Sequence, residues 1–497
     1  MTDASGTTTY NYDTMDRLIT KAMPEGTLNY TYDAAGHLAS MNSSHTNGVS
    51  ASYTYDSLNR LSTVVDNNLT GSKTTTYTYD TANNLATATY PNGLQTTFQF
   101  DTLNRLTGLI TPPVSAYTYL LGPTGNRTSG LEQSNRSITW NYDGINRLYN
   151  EQITNAPGNK NGTASYGLDP VGNRTSATST VSGLSPVSGT YNPDDEFNSP
   201  TESYDSNGNV TAAAGKNFAY DTENHLVSMG GAVTILYDGD GNRVSKTVSG
   251  VTTRYLVDDL NPTGYPQVVD ELSAGGSVQR EYTYGLQRIS QSQYISSTWT
   301  PSFYGYDGFG TVRQLTSSGG AITDTYDYDA FGNKINSTGS TPNNYLYRGE
   351  AFDSDLGLYY LRARYYNPTT GRFMSRDPEN GKPTDPRTLH KYLYVGGDPV
   401  NRIDPRGREG ALVEYAATLA HNTFEGTIYG THMRKCVANA YTEAGNLLGA
   451  ILSNTPTDLT GEGIGLTLAS GGSAANYDLA VGYIVSHIFP YSGQDCE

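Results

Sequence analysis

The sequence predicts an all-β protein, a spiral of short β-hairpins, and three observations carry that prediction. A motif, Tyr-x-Tyr-Asp, recurs along most of the chain; its spacing is nearly constant; and the residues between copies are those of strands and turns. Copies read YNYDTMDRL from Tyr10, YTYDAAGHL from Tyr30, YTYDSLNRL from Tyr53, YTYDTANNL from Tyr77 and FQFDTLNRL from Phe98. They continue as WNYDGINRL from Trp140, FAYDTENHL from Phe218 and YDYDAFGNK from Tyr326. The first five starts lie 20, 23, 24 and 21 residues apart. Such a period marks one small supersecondary unit, each copy needing its neighbours to bury a face.

Each element of the repeat has a physical reason. Tyr53 and Tyr55 alternate with Thr54, so both rings lie on one face of a strand. Asp56 begins a turn, because its carboxylate accepts hydrogen bonds from amides two residues on. Asn59, or glycine in other copies (Gly36, Gly172, Gly332), occupies the place where a positive φ is needed. Arg60 and Leu61 start the returning strand. Equivalent tyrosines of successive hairpins are expected to stack as a ladder, each contact contributing about 0.2–1 kcal/mol.

Composition alone points the other way. Only 36% of the 497 residues are hydrophobic and the formal charge is −17, which lies toward the disordered side of the composition boundary. The 41 tyrosines reverse that, since each buries a ring while satisfying a polar tip. The acidic balance argues against nucleic acid as a partner. No run of 18 apolar residues predicts a membrane span. The start, MTDASGTTTYNYD, has neither a basic region nor an apolar run, so no signal peptide is expected, and its rapid entry into a repeat suggests the C-terminal part of a longer chain. Copies degrade in the middle. YGLDPVGNR at Tyr166 lacks the second tyrosine, residues 176–201 read as a long Ser/Thr/Pro/Gly loop, and 250–300 reads as a second loose region.

The repeats resemble the YD repeat of the RHS family, which includes the shells of toxin-complex proteins and of teneurins. YLYRGEAFDSDLGLYYLRARYYNPTTGRFMSRDP, from Tyr345 to Pro378, and HKYLYVGGDPVNRIDPRGR, from His390 to Arg408, resemble the RHS repeat-associated core. The resemblance implies a full or partial hollow β-shell over residues 1–340, a core that plugs it over 341–408, and a variable segment over 409–497. About 400 residues of repeat and core, some sixteen hairpins at most, make a small or partial shell the expectation, completed by an upstream or partner shell chain. It further implies a secreted or cell-surface role in bacterial competition, with the C-terminal segment as cargo.

Family members that release their cargo cut their own chain as aspartyl proteases. Two crowded carboxylates share a proton, and one activates water. Matched by resemblance, the positions here are Arg364, Asp377 and Asp404, with the cut falling between Arg408 and Glu409. The family has an apolar residue where this chain has Arg408. A pocket shaped for an apolar side chain would leave a guanidinium poorly solvated, which argues against the cut. The bland alternative for the three residues is a buried ion pair plus turns, since Asp-Pro also occurs at Asp169, Asp385 and Asp398. A different class remains open: a non-cleaving surface protein whose tyrosine-rich repeats bind carbohydrate or protein.

Beyond Arg408 the motif stops. Residues 409–421 and 431–452 have helix-like composition, with Leu412, Tyr415, Ala416 and Leu419 on one face, so a small, mainly helical or mixed segment is expected. His421, His432, Cys436 and His487 are read as structural or surface residues: His432 and Cys436 stand one helical turn apart, but two ligands do not make a metal site. No cofactor or metal is expected. Cys436 and Cys496 are read as incidental thiols, or as one disulfide in an oxidising compartment.

Overall fold

The aspartate turns set the backbone of the whole chain. In the computed structural model, which describes residues 1–408 other than 382, 384 and 385, Asp56 accepts the amides of Leu58 and Arg60 at 2.9 and 3.0 Å through one carboxylate oxygen. The other oxygen takes the Arg60 guanidinium at 2.8 Å. Asp33, Asp80, Asp101, Asp143 and Asp329 repeat the pattern, with histidine or asparagine replacing arginine in some copies. The fourth turn residue is left-handed throughout, with φ of 62° at Asn59 and 92° at Gly332. A β-bulge at the second tyrosine turns each strand into its turn, as between Thr54 and Tyr55.

Neighbouring repeats are coupled differently from the expected ladder. The first tyrosines (Tyr30, Tyr53, Tyr77) are buried, and none of the ring pairs found among the described residues joins one to the next. The link runs through the second tyrosine. Tyr32, Tyr55 and Tyr79 donate their hydroxyls to the carbonyls of Leu18, Leu38 and Leu61 in the preceding repeat, at 2.8, 3.1 and 2.8 Å. The turn cation then covers the next ring: Arg17 lies 4.7 Å over Tyr32 and Arg60 lies 4.3 Å over Tyr79. In these copies a cation on the ring replaces tyrosine on tyrosine.

The result is all-β. Seventeen strands from Thr9–Tyr12 to Val187–Ser188 form one antiparallel sheet, and fourteen from Ser203–Tyr204 to Lys334–Thr338 form a second. Every register joins strands consecutive in the chain, as hairpin repeats require. The two regions expected to be loose are ordered. Residues 250–300 hold long strands such as Val251–Asp258 and Arg288–Ile295, among the most buried of the molecule. Within 176–201, Asn192 takes the aspartate's place, accepting the amides of Asp194 and Glu196 at 3.0 and 2.9 Å, with Asp195 at φ 62°. It is a repeat in which Tyr191 keeps the second tyrosine's role, donating to the Arg174 carbonyl at 2.7 Å, while Gly189 and Asn192 replace the first tyrosine and the aspartate.

The inward faces of the two sheets pack on each other in step along the chain. Tyr30 bonds Asp258 at 2.8 Å, Thr283 bonds Asp66 at 2.9 Å, Tyr117 bonds Gln314 at 3.1 Å, and the Ala330 amide bonds Glu151 at 2.9 Å. One hydrophobic core runs through both sheets and into residues 345–395. That following segment contributes a four-stranded sheet: Ala351–Asp353, Leu358–Leu361, Arg364–Asn367 and Arg372–Phe373. Its tyrosines hang from turn carbonyls: Tyr347 on Ala330, Tyr359 on Gly332 and Tyr366 on Phe331, at 2.8 to 3.0 Å. No helix of the described residues is long and apolar enough to cross a membrane. The predicted helical segment, and with it His421, His432, Cys436, His487 and Cys496, lies outside the described residues, as does Asp385.

Two predictions follow from the turns and the interface. Asp56→Ala, which strands two amides and a guanidinium, should cost about 1–3 kcal/mol of local stability read by hydrogen exchange, whereas Leu58→Ser on the exposed tip should change it by less than about 0.5 kcal/mol. The second concerns pH. Although partial burial opposes it, the Arg60 contact holds Asp56 below its ordinary value, and Asp13, Asp33 and Asp143 are likewise held down by their turn partners, so the contribution of these four disappears as pH falls below the carboxylate range. Burial raises Asp258 to about 6, and burial together with Asp329 raises Glu151 to about 7. These groups bind protons more tightly when folded, so they stabilise the fold as pH falls from neutral. The melting temperature should therefore peak at about pH 5, falling on either side. A profile rising monotonically to pH 8 would contradict this assignment.

Candidate active site at the end of the 345–408 segment

Arg364 opens the third strand of the small sheet, and its guanidinium is buried under the Phe373 ring, 3.5 Å from it. The position is set by a two-residue turn: Leu361 pairs with Arg364, and Arg362 between them is left-handed at φ 57°. Arg362 is clamped by the Pro266 carbonyl at 3.0 Å, by both Glu350 oxygens at 3.0 and 3.1 Å, and by the Pro405 carbonyl. This clamp ties three distant stretches together around Arg364.

The chain returns to Arg364 twice. Asp377, whose amide bonds the Lys391 carbonyl at 2.8 Å, places a carboxylate oxygen 2.8 Å from Arg364 Nη2. Asp404 places one 3.4 Å from the same nitrogen. The structure thus brings Arg364, Asp377 and Asp404 together across 40 residues. Asp404 Oδ1 accepts the Arg408 amide at 3.1 Å, and Arg364 Nε donates to the Gly407 carbonyl. Burial pushes Asp404 up to about 7, against the Arg364 charge and with the help of Asp377. At neutral pH it is therefore poised to give or take a proton. A cavity of about 90 Å³ adjoins Asp404 and Pro405, bounded by Glu350, Arg362 and Tyr394. It is roomy enough for water, which needs about 10–15 Å³ per molecule.

The turn carrying Asp404 is built like those of the repeats. In Asp404-Pro-Arg-Gly407-Arg408 the carboxylate binds the amide four residues on, and Gly407 takes the left-handed place at φ 63°. What differs is the cation: Asp404 faces Arg364, and Arg408 is exposed. Asp398 is a turn former, accepting the Asn401 amide at 3.1 Å, and Asp169 serves a repeat turn. Among the described residues no group of three or more His, Cys, Asp or Glu could hold a metal. Reading motifs did not single out the Glu350–Arg362 clamp; the only signal was a second arginine two residues before Arg364.

Comparison with known proteins agrees with this architecture. The Teneurin YD-shell family matches residues 1–143. The tRNA3(Ser)-specific nuclease WapA of Bacillus spizizenii is 33% identical over 301 residues, covering 57% of this chain. The tRNA nuclease WapA of Bacillus subtilis is 32% identical over 299 residues, covering 57% of this chain. The chain spans 12% of the length of each of these relatives. Among solved structures, that of TcdB2-TccC3 superposes with a TM-score of 0.67 at 18% identity, over 82% of this chain and 24% of that one, a likeness of fold. The same complex without its hypervariable C-terminal region gives a TM-score of 0.66 at 18% identity, over 80% and 23%.

Proposed function

We propose that the chain is a YD-repeat shell protein of the RHS type that presents a variable, toxin-like C-terminal segment and frees it by cutting its own backbone. In this reading residues 1–340 are shell wall, 341–408 the plug and 409–497 the cargo, acting in competition outside the cell that makes it. The observation that carries it is the convergence of Arg364, Asp377 and Asp404 on the last turn before residue 409. The inward faces of the two sheets are occupied by each other's side chains, so enclosing a guest calls for further shell strands, from a partner or a continuing YD-repeat chain.

The chemistry needs one base and one acid. Asp377 takes a proton from water, Arg364 stabilises the oxyanion that forms, and Asp404 supplies the proton that the leaving amine requires. Asp404 is protonated below about 7, so cutting should be full in mild acid and fall as pH rises through that value, by about tenfold per unit beyond it.

Denaturing electrophoresis of the purified chain, kept near neutral pH to spare acid-labile Asp-Pro bonds, provides the test. A C-terminal fragment should appear, and Asp377→Asn or Asp404→Asn should slow its appearance by about 10²–10⁴-fold. An intact wild-type chain excludes self-cutting. Separately, expression of residues 409–497 alone should arrest growth; normal growth removes the toxin reading.

A further inference from the structure

Resting on the self-cutting reading, we infer that the bond this site cuts is Gly407–Arg408, one position before the bond expected from the family resemblance. Both ends of that single peptide unit are held by site residues. Its carbonyl oxygen accepts Arg364 Nε–H, and its N–H is donated to Asp404 Oδ1 at 3.1 Å. The carbonyl oxygen is where negative charge collects when water adds, so a guanidinium belongs there. The nitrogen is where the departing amine must gain a proton, so a carboxyl group belongs beside it.

Space on the two sides of the bond points to the same place. A Cβ at Gly407 would stand 2.2 Å from the Leu361 carbonyl oxygen and 3.1 Å from the Arg364 amide nitrogen, and the backbone there is left-handed at φ 63°. The seat before the bond therefore admits glycine alone. Arg408, after it, is exposed and needs no pocket. A charged residue at 408 is thus no obstacle to the reaction.

The step balances with one water. Asp377 removes a proton from the water as its oxygen bonds to the Gly407 carbonyl carbon. The C–N bond then breaks, and the Asp404 carboxyl proton passes to the Arg408 nitrogen. Gly407 is left as a carboxylic acid and Arg408 as a free amino terminus. Transfer of a proton from Asp377 back to Asp404 through solvent restores both groups.

The full-length chain, purified and held at neutral pH, supplies the test. Terminal sequencing and mass spectrometry of the fragments should show one ending at Gly407 and one beginning at Arg408. Fragments meeting at Arg408 and Glu409, or anywhere else, overturn this assignment while leaving self-cutting intact; an intact chain overturns both. Asp404→Asn should slow the appearance of both termini by about 10²–10⁴-fold, which separates self-cutting from trimming by a contaminating protease. Arg364→Lys keeps a charge but lacks the Nε–H, and should slow the cut by about 10²-fold in the folded variant, whose folding is checked by its cooperative melting. Cutting at the wild-type rate in that variant removes the carbonyl contact from the mechanism.

Discussion

A carboxylate satisfying two backbone amides and one side-chain cation, four residues along the chain, is the contact on which the rest of the structure depends. It closes each turn, and closing the turn aims the Arg60-type guanidinium at the ring of the next repeat. The hydroxyl of that ring reaches back to the preceding strand, so each hairpin is held from both sides. Individually these bonds are worth about 1 kcal/mol. Iterated along two sheets they substitute for the aliphatic core that the chain lacks, as repeat proteins sum small nearest-neighbour terms.

The interior between the sheets is more polar than an ordinary core. Glu132, Arg313 and Asp327 form a network, with Arg313 bonding Glu132 at 2.8 Å and Asp327 at 2.6 Å. Asp353, bound by Arg243 and Lys246, anchors the small sheet to the second large one. Tyrosine contributes to this, because its hydroxyl can end a buried ring on a carboxylate or a carbonyl, as at Tyr30 and Tyr32, although the hydroxyls of Tyr53, Tyr166 and Tyr328 are buried with no hydrogen-bond partner. The site at Arg364 is one more instance of the same construction. There the turn carboxylate has exchanged its own cation for one from another strand, and the loss of solvent leaves it short of full ionisation.

Much of this was legible from residue order. The turn at Asp56, the left-handed Asn59 and Gly36, and the pairing of consecutive hairpins all follow from local chemistry. The repeat at Asn192 escaped notice because Asn192 and Glu196 preserve the turn's hydrogen bonds while Tyr191 alone keeps its motif letter. The strands between 250 and 300 escaped for another reason: they are buried by a sheet some two hundred residues away, so nothing local marks them. Of the site, resemblance supplied Arg364, Asp377 and Asp404 as names. It did not supply the exposure of Arg408 or the grip of Arg364 on the Gly407 carbonyl, which arise only when three segments meet.

By itself, then, the sequence determined a β-protein of Asp-closed hairpins, since i to i+4 contacts need no more than the motif. Tertiary structure decided what those hairpins face and which carboxylates lose their water. It also decided which turn, out of more than a dozen alike, stands apart: the one whose cation comes from elsewhere in the chain and whose glycine lies flush against a neighbouring carbonyl. The reason is physical. Hydrogen-bonded turns are settled over five residues, whereas desolvation and charge pairing are settled by whatever the rest of the fold packs against them.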